Sequence, residues 1–342
     1  MGIKISILGC GWLGLPLAKS LLSKGYEVKG STTSEGKLEV LKSTGILPFQ
    51  IQLEEHQIIG NMEDFLKETD VLVIDIPPGL RRETSTSNEM TFVNKVKTLI
   101  AFIEKSDVQK VVFVSSTSVF GDSFPIIEIT EETKPNPDTE SGKQLVIAET
   151  LLQSNPHFKT TVIRFGGLLG EDRHPVKFLA GRTNVENPDA PVNMIQRKDC
   201  IGIIEKSLDF ARDDNWEWNQ TFNAVAPQHP IRKAYYHKKA EILNLPLPTF
   251  AENSESKGKY TVVIEKGSPK ACEKAAPGGG KAKTLIMFSD DLDKALATFV
   301  LANGAAATGQ KVSIFFTFWG LNVIKKTVKP KVKKDFFGRM FS

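Results

Sequence analysis

Three apolar runs recur along the first half of the chain: 70–76, with Val71-Leu72-Val73-Ile74 at its heart, 110–115, and the β-branched 160–165. Short, near-continuous apolar runs suit strands that are buried on both faces, as in a parallel sheet. A shorter strand opens the chain at 3–8, and another follows at 26–30. Between the strands the period changes. Apolar residues fall near helical spacing over 90–103, 142–153 is a second helix, and a further helix runs from Gly14 through Leu22. Pro77-Pro78-Gly79 ends one strand abruptly, and 124–138, rich in Pro, Glu and Thr, reads as loop. Strands alternating with helices predict an α/β fold with a doubly wound parallel sheet.

The pattern then shifts twice. Residues 168–257 hold many Pro, Asn and Arg residues and few long apolar runs, which predicts short helices. By position this is a small substrate lobe lying over the C-terminal strand ends. Residues 258–282 read as a strand fragment and a linker, with Pro269, Pro277 and Gly278-Gly279-Gly280 among lysines and alanines. Beyond it a small C-terminal α/β fragment occupies 283–342: a strand at 283–288, a helix capped by Ser289 or Asp290 and reaching 307, and a strand at 311–318. The expected organisation is therefore 1–257, 258–282 and 283–342.

The first strand runs directly into Gly9-x-Gly11-x-x-Gly14. Gly9 permits the tight turn, Gly11 lets backbone approach a pyrophosphate, and Gly14 lets the helix pack closely on the strand. The helix N-terminus adds free N–H groups and the positive end of its dipole. This is the Rossmann-type arrangement for a nicotinamide dinucleotide. The acidic residue that binds the ribose 2′-OH of NAD, roughly 20 positions on, is missing. Ser31, Thr32, Thr33 and Lys37 stand there instead, so the spacing leans towards NADP over NAD.

Composition narrows the function classes. The chain has 342 residues, 40% hydrophobic and 25% charged, as ordinary globular proteins do, and its length favours two units. The net charge of +4 misleads, because seven basic residues against Asp335 crowd into 325–342 and leave the remainder at −2. The main body thus lacks the footprint of a nucleic-acid binder. Cys10, Cys200 and Cys272 are scattered and odd in number, which argues against a disulfide framework and for a reducing, cytoplasmic setting. A strand beginning at Ile3 leaves no room for a signal peptide. No apolar run approaches the ~20 residues of a membrane helix. The five histidines show no metal-ligand spacing, so no metal is expected. The expected partner is a small-molecule substrate, with neither nucleic acid nor membrane, and homodimerisation stays open.

Residues 1–257 resemble the extended short-chain dehydrogenase/reductase family and, within it, the atypical NAD-dependent epimerase/dehydratase-like members of the YeeZ-like group. The glycine turn carries the resemblance together with Asn94, the stretch Ser115-Ser116-Thr117-Ser118-Val119-Phe120-Gly121, Ser141-Gly142-Lys143 with Ala148-Glu149, Arg164 to Gly170, and Val192 to Asp199. The resemblance implies a cofactor set of Gly9, Gly11, Trp12, Leu13, Gly14, Thr32, Thr33, Pro77 and Lys143. It places Ser116, which helps bind and orient the substrate, and Lys143 in the catalytic set. The general acid/base of the family, a Tyr four residues before the Lys, is Thr139 here. A phenol ionises near ~10 and can be tuned by a lysine, whereas an aliphatic hydroxyl ionises too weakly for that duty. Tyr-dependent catalysis is thereby in question. On the substrate side, Ser116, Thr117, Arg173 and Asn193 are the candidates, with Arg182 and Arg197 near in sequence and suited to a phosphate or carboxylate.

The C-terminal residues resemble other families. The stretch 283–297, Asn303-Gly304-Ala305 and 315–322 look like the start of a DsrE-like sulfur-relay domain, and 258–267 looks like the last strand of a TusA-like sulfur carrier. No cysteine follows Cys272, so no persulfide-bearing thiol carries over. Three functions follow in order: an NAD(P)-binding atypical reductase or epimerase/dehydratase with altered Tyr chemistry, a non-catalytic dinucleotide-binding sensor or scaffold, and a sulfur-relay protein.

Overall fold

The computed structural model of the chain describes residues 3–79, 90–209, 218–252 and 255–261, with the backbone of the strands 283–287 and 312–316. The chain divides into two units, Met1–Ile264 and Glu265–Ser342. In the first, β1 (Lys4–Leu8) leads to α1 (Gly14–Ser23), β2 (Glu27–Thr32), α2 (Leu38–Ser43) and β3 (Leu47–Gln50). The short antiparallel pair β4 (Gln52–Leu53) and β5 (Ile58–Ile59) precedes α3 (Met62–Leu66) and β6 (Val71–Ile74). Next come α4 (Thr91–Ile103), β7 (Lys110–Ser116), β8 (Ile127–Ile129), α5 (Glu140–Gln153) and β9 (Lys159–Phe165). The chain continues through β10 (Gly167–Leu169), α6 (Val176–Leu179), β11 (Met194–Gln196), α7 (Arg197–Asp209), β12 (Thr221–Ala224), α8 (Arg232–Ile242) and β13 (Lys259–Thr261).

Seven strands make one parallel sheet in the order β12-β9-β7-β6-β1-β2-β3, the doubly wound α/β fold. Its alternation explains why the strands read as continuous apolar runs. Ile5, Ile7, Val71 and Val73 face Leu17 and Leu21 of α1 and Ile204 and Leu208 of α7. Leu8, Leu72 and Ile74 face Phe65 of α3, Phe92 and Val96 of α4, and Leu145 of α5. With helices on both sides, neither face of a central strand is free to be polar. Buried polar residues do occur on these strands: Ser6, fully buried, donates to the carbonyl of Phe65 at 2.9 Å.

Several elements depart from the pattern. β3 carries Pro48, which a strand tolerates because β3 lies at the sheet edge and one side needs no donor. The loop expected over 124–138 contains β8, which pairs in parallel with β13. The strand expected in 258–267 is therefore, over Lys259–Thr261, part of the first unit. The segment 168–257, expected as a single substrate lobe, is divided. Its α7 and β12 return to the main layers, and only the small cluster of Val176, Val192, Tyr236 and Ala240 stands apart. β12 escaped the sequence pattern because Thr-Phe-Asn-Ala is short and mixed, as a half-covered edge strand allows.

The second unit contains β14 (Lys283–Met287) and β15 (Val312–Phe316), paired in parallel. The helix expected between them, the linker 267–282 and Cys272 lie outside the described residues. No helix among the described residues is long and apolar enough to cross a membrane.

Candidate functional site

The strand order reverses its direction of growth between β1 and β6, and a crevice opens there at the C-terminal strand ends. The glycine turn fills that position. Gly9 has φ +107°, and a Cβ on it would stand 2.2 Å from the carbonyl oxygen of Asp75. A Cβ on Gly14 would stand 2.2 Å from the Gly9 carbonyl oxygen, so helix and strand meet as closely as backbone permits. Gly11 differs: its Cβ would meet nothing within 4 Å, so its backbone borders open space. β2 pins the turn, since Cys10 N–H donates to the Ser31 carbonyl at 2.7 Å and Gly9 N–H to Ser31 Oγ at 2.9 Å. These features fit a pyrophosphate, which needs bare backbone and a helix N-terminus rather than side chains.

No side chain of Leu13 caps α1. The capping group comes from the residue just after β6, where the Asp75 carboxyl accepts the N–H of Gly14. Burial pushes this carboxyl up to about 7, and the Gly14 hydrogen bond acts in the opposite direction. Asp75 was not among the residues singled out from sequence. Its one signal was an acid at the end of an otherwise apolar strand.

Beside the turn lies a cavity of about 430 Å³. Gly9, Thr32, Thr33 and Pro77 line it, joined by Gln52, Glu54 and Lys95. The volume lies within the range of roughly 300–1,000 Å³ common for small-ligand sites. Lys37, expected near the ribose, is exposed and absent from the lining. The lysine that reaches the cavity is Lys95 of α4, which no short-range motif pointed to.

At the corner expected to be catalytic, Ser116 ends β7 and its Oγ accepts the N–H of Ser118 at 3.1 Å. Thr117 is buried in the short 3-10 turn that follows. Thr139 is the N-cap of α5, its Oγ1 accepting the N–H of Gly142 at 3.1 Å. Lys143 is exposed and pairs with Glu140 at 3.7 Å. Behind the corner, Arg164 of β9 makes a buried bidentate pair with Glu149 of α5, its Nη2 at 2.6 Å from Oε2. Ser115 Oγ donates to the same carboxylate at 2.6 Å, and the Arg164 guanidinium lies 5.1 Å from the Phe120 ring centroid.

On the substrate side, Arg173 and Arg197 both lie over the Trp12 indole, their guanidinium carbons 5.5 Å and 4.6 Å from its centroid. The indole N–H donates to Asp172 Oδ2 at 2.9 Å, and Arg197 pairs with Asp172 Oδ1 at 3.3 Å. Asn193 uses its amide on backbone: Nδ2 donates to the Lys259 carbonyl at 2.7 Å, and Oδ1 accepts the Thr261 N–H at 2.9 Å. Its side chain thus holds β13 in place. His174 stacks against Tyr235, with Nε2 3.3 Å from the phenol oxygen. Desolvation, followed by the charges of Lys239 and Lys177, lowers the His174 pKa, and burial raises that of Tyr235 to about 12. Among the described residues no three His, Cys, Asp or Glu side chains gather as a metal site.

Known proteins share this architecture. Residues 5–183 match the NAD dependent epimerase/dehydratase family, and 280–342 match the DsrE/DsrF/DrsH-like family. The chain is 33% identical over 261 residues to Protein YeeZ of Escherichia coli K12, covering 76% of this chain and 90% of that one. A shorter match, 49% over 61 residues, joins 18% of this chain to 38% of the protein YrkE of Bacillus subtilis. Among solved structures, the UDP-glucuronic acid 4-epimerase of Bacillus cereus in complex with NAD shares the fold. It has a TM-score of 0.61 at 15% identity and covers 77% of this chain and 90% of that one. With this glycine turn, this strand order and a relative spanning most of its length, the chain belongs to the NAD dependent epimerase/dehydratase family, as an NAD(P)-binding protein of short-chain dehydrogenase/reductase type that also carries a DsrE-like segment.

Proposed function

We propose that this chain binds a nicotinamide dinucleotide at the glycine turn as an atypical reductase or epimerase relative that has lost the Tyr-dependent proton transfer. The observation that carries the reading is the state of Thr139, whose hydroxyl caps α5 at the position of the family phenol. Ser116 Oγ accepts a local N–H, and Lys143 sits beside Glu140, so neither stands in for the phenol as general acid/base. The turn, by contrast, keeps the features a pyrophosphate requires. The dinucleotide would supply hydride transfer; the chain supplies the grip on its phosphates and adenosine. Arg173 and Arg197 favour an anionic small molecule as the partner.

The lean towards NADP rests on Lys95, which lines the cavity with Thr32 and Thr33 and suits a 2′-phosphate; Glu54 in the same lining works against it. Titration of NADH and NADPH, followed by nicotinamide fluorescence, tests the reading. Saturable binding abolished by Gly11→Asp is expected, with NADPH preferred and the preference reduced in Lys95→Gln. Wild-type turnover of sugar-nucleotide and carbonyl substrates should be very low and should rise in Thr139→Tyr. Robust wild-type turnover that survives Ser116→Ala and Lys143→Ala would overturn it.

A second reading, a non-catalytic dinucleotide sensor or scaffold, draws on the same engaged Thr139 and predicts binding without any rescue by Thr139→Tyr. A sulfur-relay role rests on 280–342 alone and lacks a cysteine after Cys272.

A further inference from the structure

The glycine turn presents two phosphates with N–H groups and a helix dipole, but no cation. The basic residues of α1 and its end, Lys19 and Lys24, lie a turn or more beyond Gly14, and Lys24 is paired with Glu205. The ionisable group that touches the turn from the sheet is Asp75, an acid whose carboxyl receives the N–H of Gly14. A dianionic pyrophosphate placed here would thus meet a carboxyl below and no counter-charge on the turn itself. A positive group that offsets that charge would come from another element.

One is in position. Trp12 follows Gly11 in the turn, and its indole is the platform on which two guanidiniums lie. They are not equivalent. Asp172 accounts for Arg197, with Oδ1 at 3.3 Å from its Nη1, and the same carboxylate holds the indole N–H. The Arg173 guanidinium has no carboxylate or hydrogen-bond partner among the described residues. It is exposed, yet its backbone is fixed. Gly170 N–H donates to the Arg173 carbonyl at 2.9 Å, and Arg173 N–H returns to the Gly170 carbonyl at 3.1 Å. Gly170 abuts the indole so closely that a Cβ on it would stand 2.4 Å from Cζ2 of Trp12. The 170–173 turn is therefore moulded to Trp12, and an unneutralised guanidinium is held at the glycine turn.

We propose that Arg173 closes over the pyrophosphate of the bound dinucleotide, with the Trp12 indole as its platform, so that cofactor binding ties the 170–173 turn to the sheet. The proposal rests on the dinucleotide reading above and narrows Arg173 from a substrate residue to a cofactor one. Arg197 stays with Asp172 and is a positioning residue for Trp12. A planar guanidinium suits the role because it can stack on the indole and donate two N–H groups to phosphate oxygens together.

The test measures binding with the full chain and no substrate. NADH, ADP-ribose and adenosine are titrated by calorimetry against wild type, Arg173→Gln, Arg173→Lys and Arg197→Gln. Arg173→Gln should raise the Kd of NADH and of ADP-ribose about tenfold, the size of a lost charge-assisted hydrogen bond. It should also flatten the dependence of log Kd on salt and leave adenosine unchanged. Arg173→Lys should recover part of the loss, and Arg197→Gln, which acts only through the placing of Trp12, should raise Kd less than Arg173→Gln does. Because Arg173 is exposed, the variant should keep the wild-type circular dichroism and melting midpoint. An ADP-ribose Kd unaltered in Arg173→Gln overturns the proposal while leaving the dinucleotide reading intact. Failure of wild type to bind NADH or NADPH removes the dinucleotide reading, and this proposal with it.

Discussion

The glycine turn follows β1 and the Ser116–Thr139–Lys143 corner lies at the end of β7, two strands of one sheet with β6 between them, yet they are built in opposite ways. At the turn, recognition depends on backbone: a positive φ at Gly9, a carbonyl 2.2 Å from where a Gly14 Cβ would stand, and open space at Gly11. At the corner, the side chains are already taken by neighbours a few residues away. Backbone recognition survives drift in the surrounding side chains, because the peptide groups remain the same. Proton transfer needs one side chain of the right pKa at one place, so on the function proposed above a single exchange of Tyr for Thr would remove it. The family's cofactor geometry can therefore outlast its chemistry.

The contrast can be broken most severely from behind the corner. Arg164→Met should cost about 3–5 kcal/mol, because it leaves the Glu149 carboxylate buried without its partner. Urea unfolding measures it, and a loss below 1 kcal/mol would mean that Ser115 alone satisfies Glu149. Next comes the turn itself. Gly14→Ala should destabilise by ~2–3 kcal/mol and weaken dinucleotide binding in parallel, since the methyl group drives α1 away from β1. Stability and affinity that part company there would separate the turn's structural task from its binding task.

Asp75 gives a smaller, pH-dependent effect. Its folded pKa of about 7 lies above the ordinary 3.8, so the folded state keeps a proton that the unfolded chain has already released. Stability from this group is therefore full at acid pH, falls as pH rises through that window, and is lost above about pH 7. Asp75→Asn should flatten the slope between pH 5 and 8. It should also raise stability at pH 8 by ~1–2 kcal/mol, a figure reduced because the side chain is only half-buried. Melting midpoints across that range decide it. The corner's own residues matter least for stability: Thr139→Ala should cost about 1 kcal/mol as a lost cap, and Lys143→Ala less than ~0.5 kcal/mol as a lost exposed pair. A Thr139→Ala variant as stable as wild type would show that the cap contributes little and that the hydroxyl is free for another task.

Much of this was legible in one dimension because it depends on local physics. Apolar runs mark strands covered on both faces, and Gly-x-Gly-x-x-Gly after such a run marks a backbone that must turn and be approached. The missing phenol at Thr139 is different: it was legible only through the family resemblance, which puts a Tyr four residues before Lys143. What tertiary structure alone decided are meetings between distant segments. Asp75 caps α1 across some sixty residues, Lys95 rather than Lys37 reaches the cavity, and Asn193 holds the backbone of β13. Arg173 rests on Trp12 although the two are 161 positions apart. Periodicity reports which face of an element is buried, but not which other element covers it; that choice is made by sheet order and loop closure.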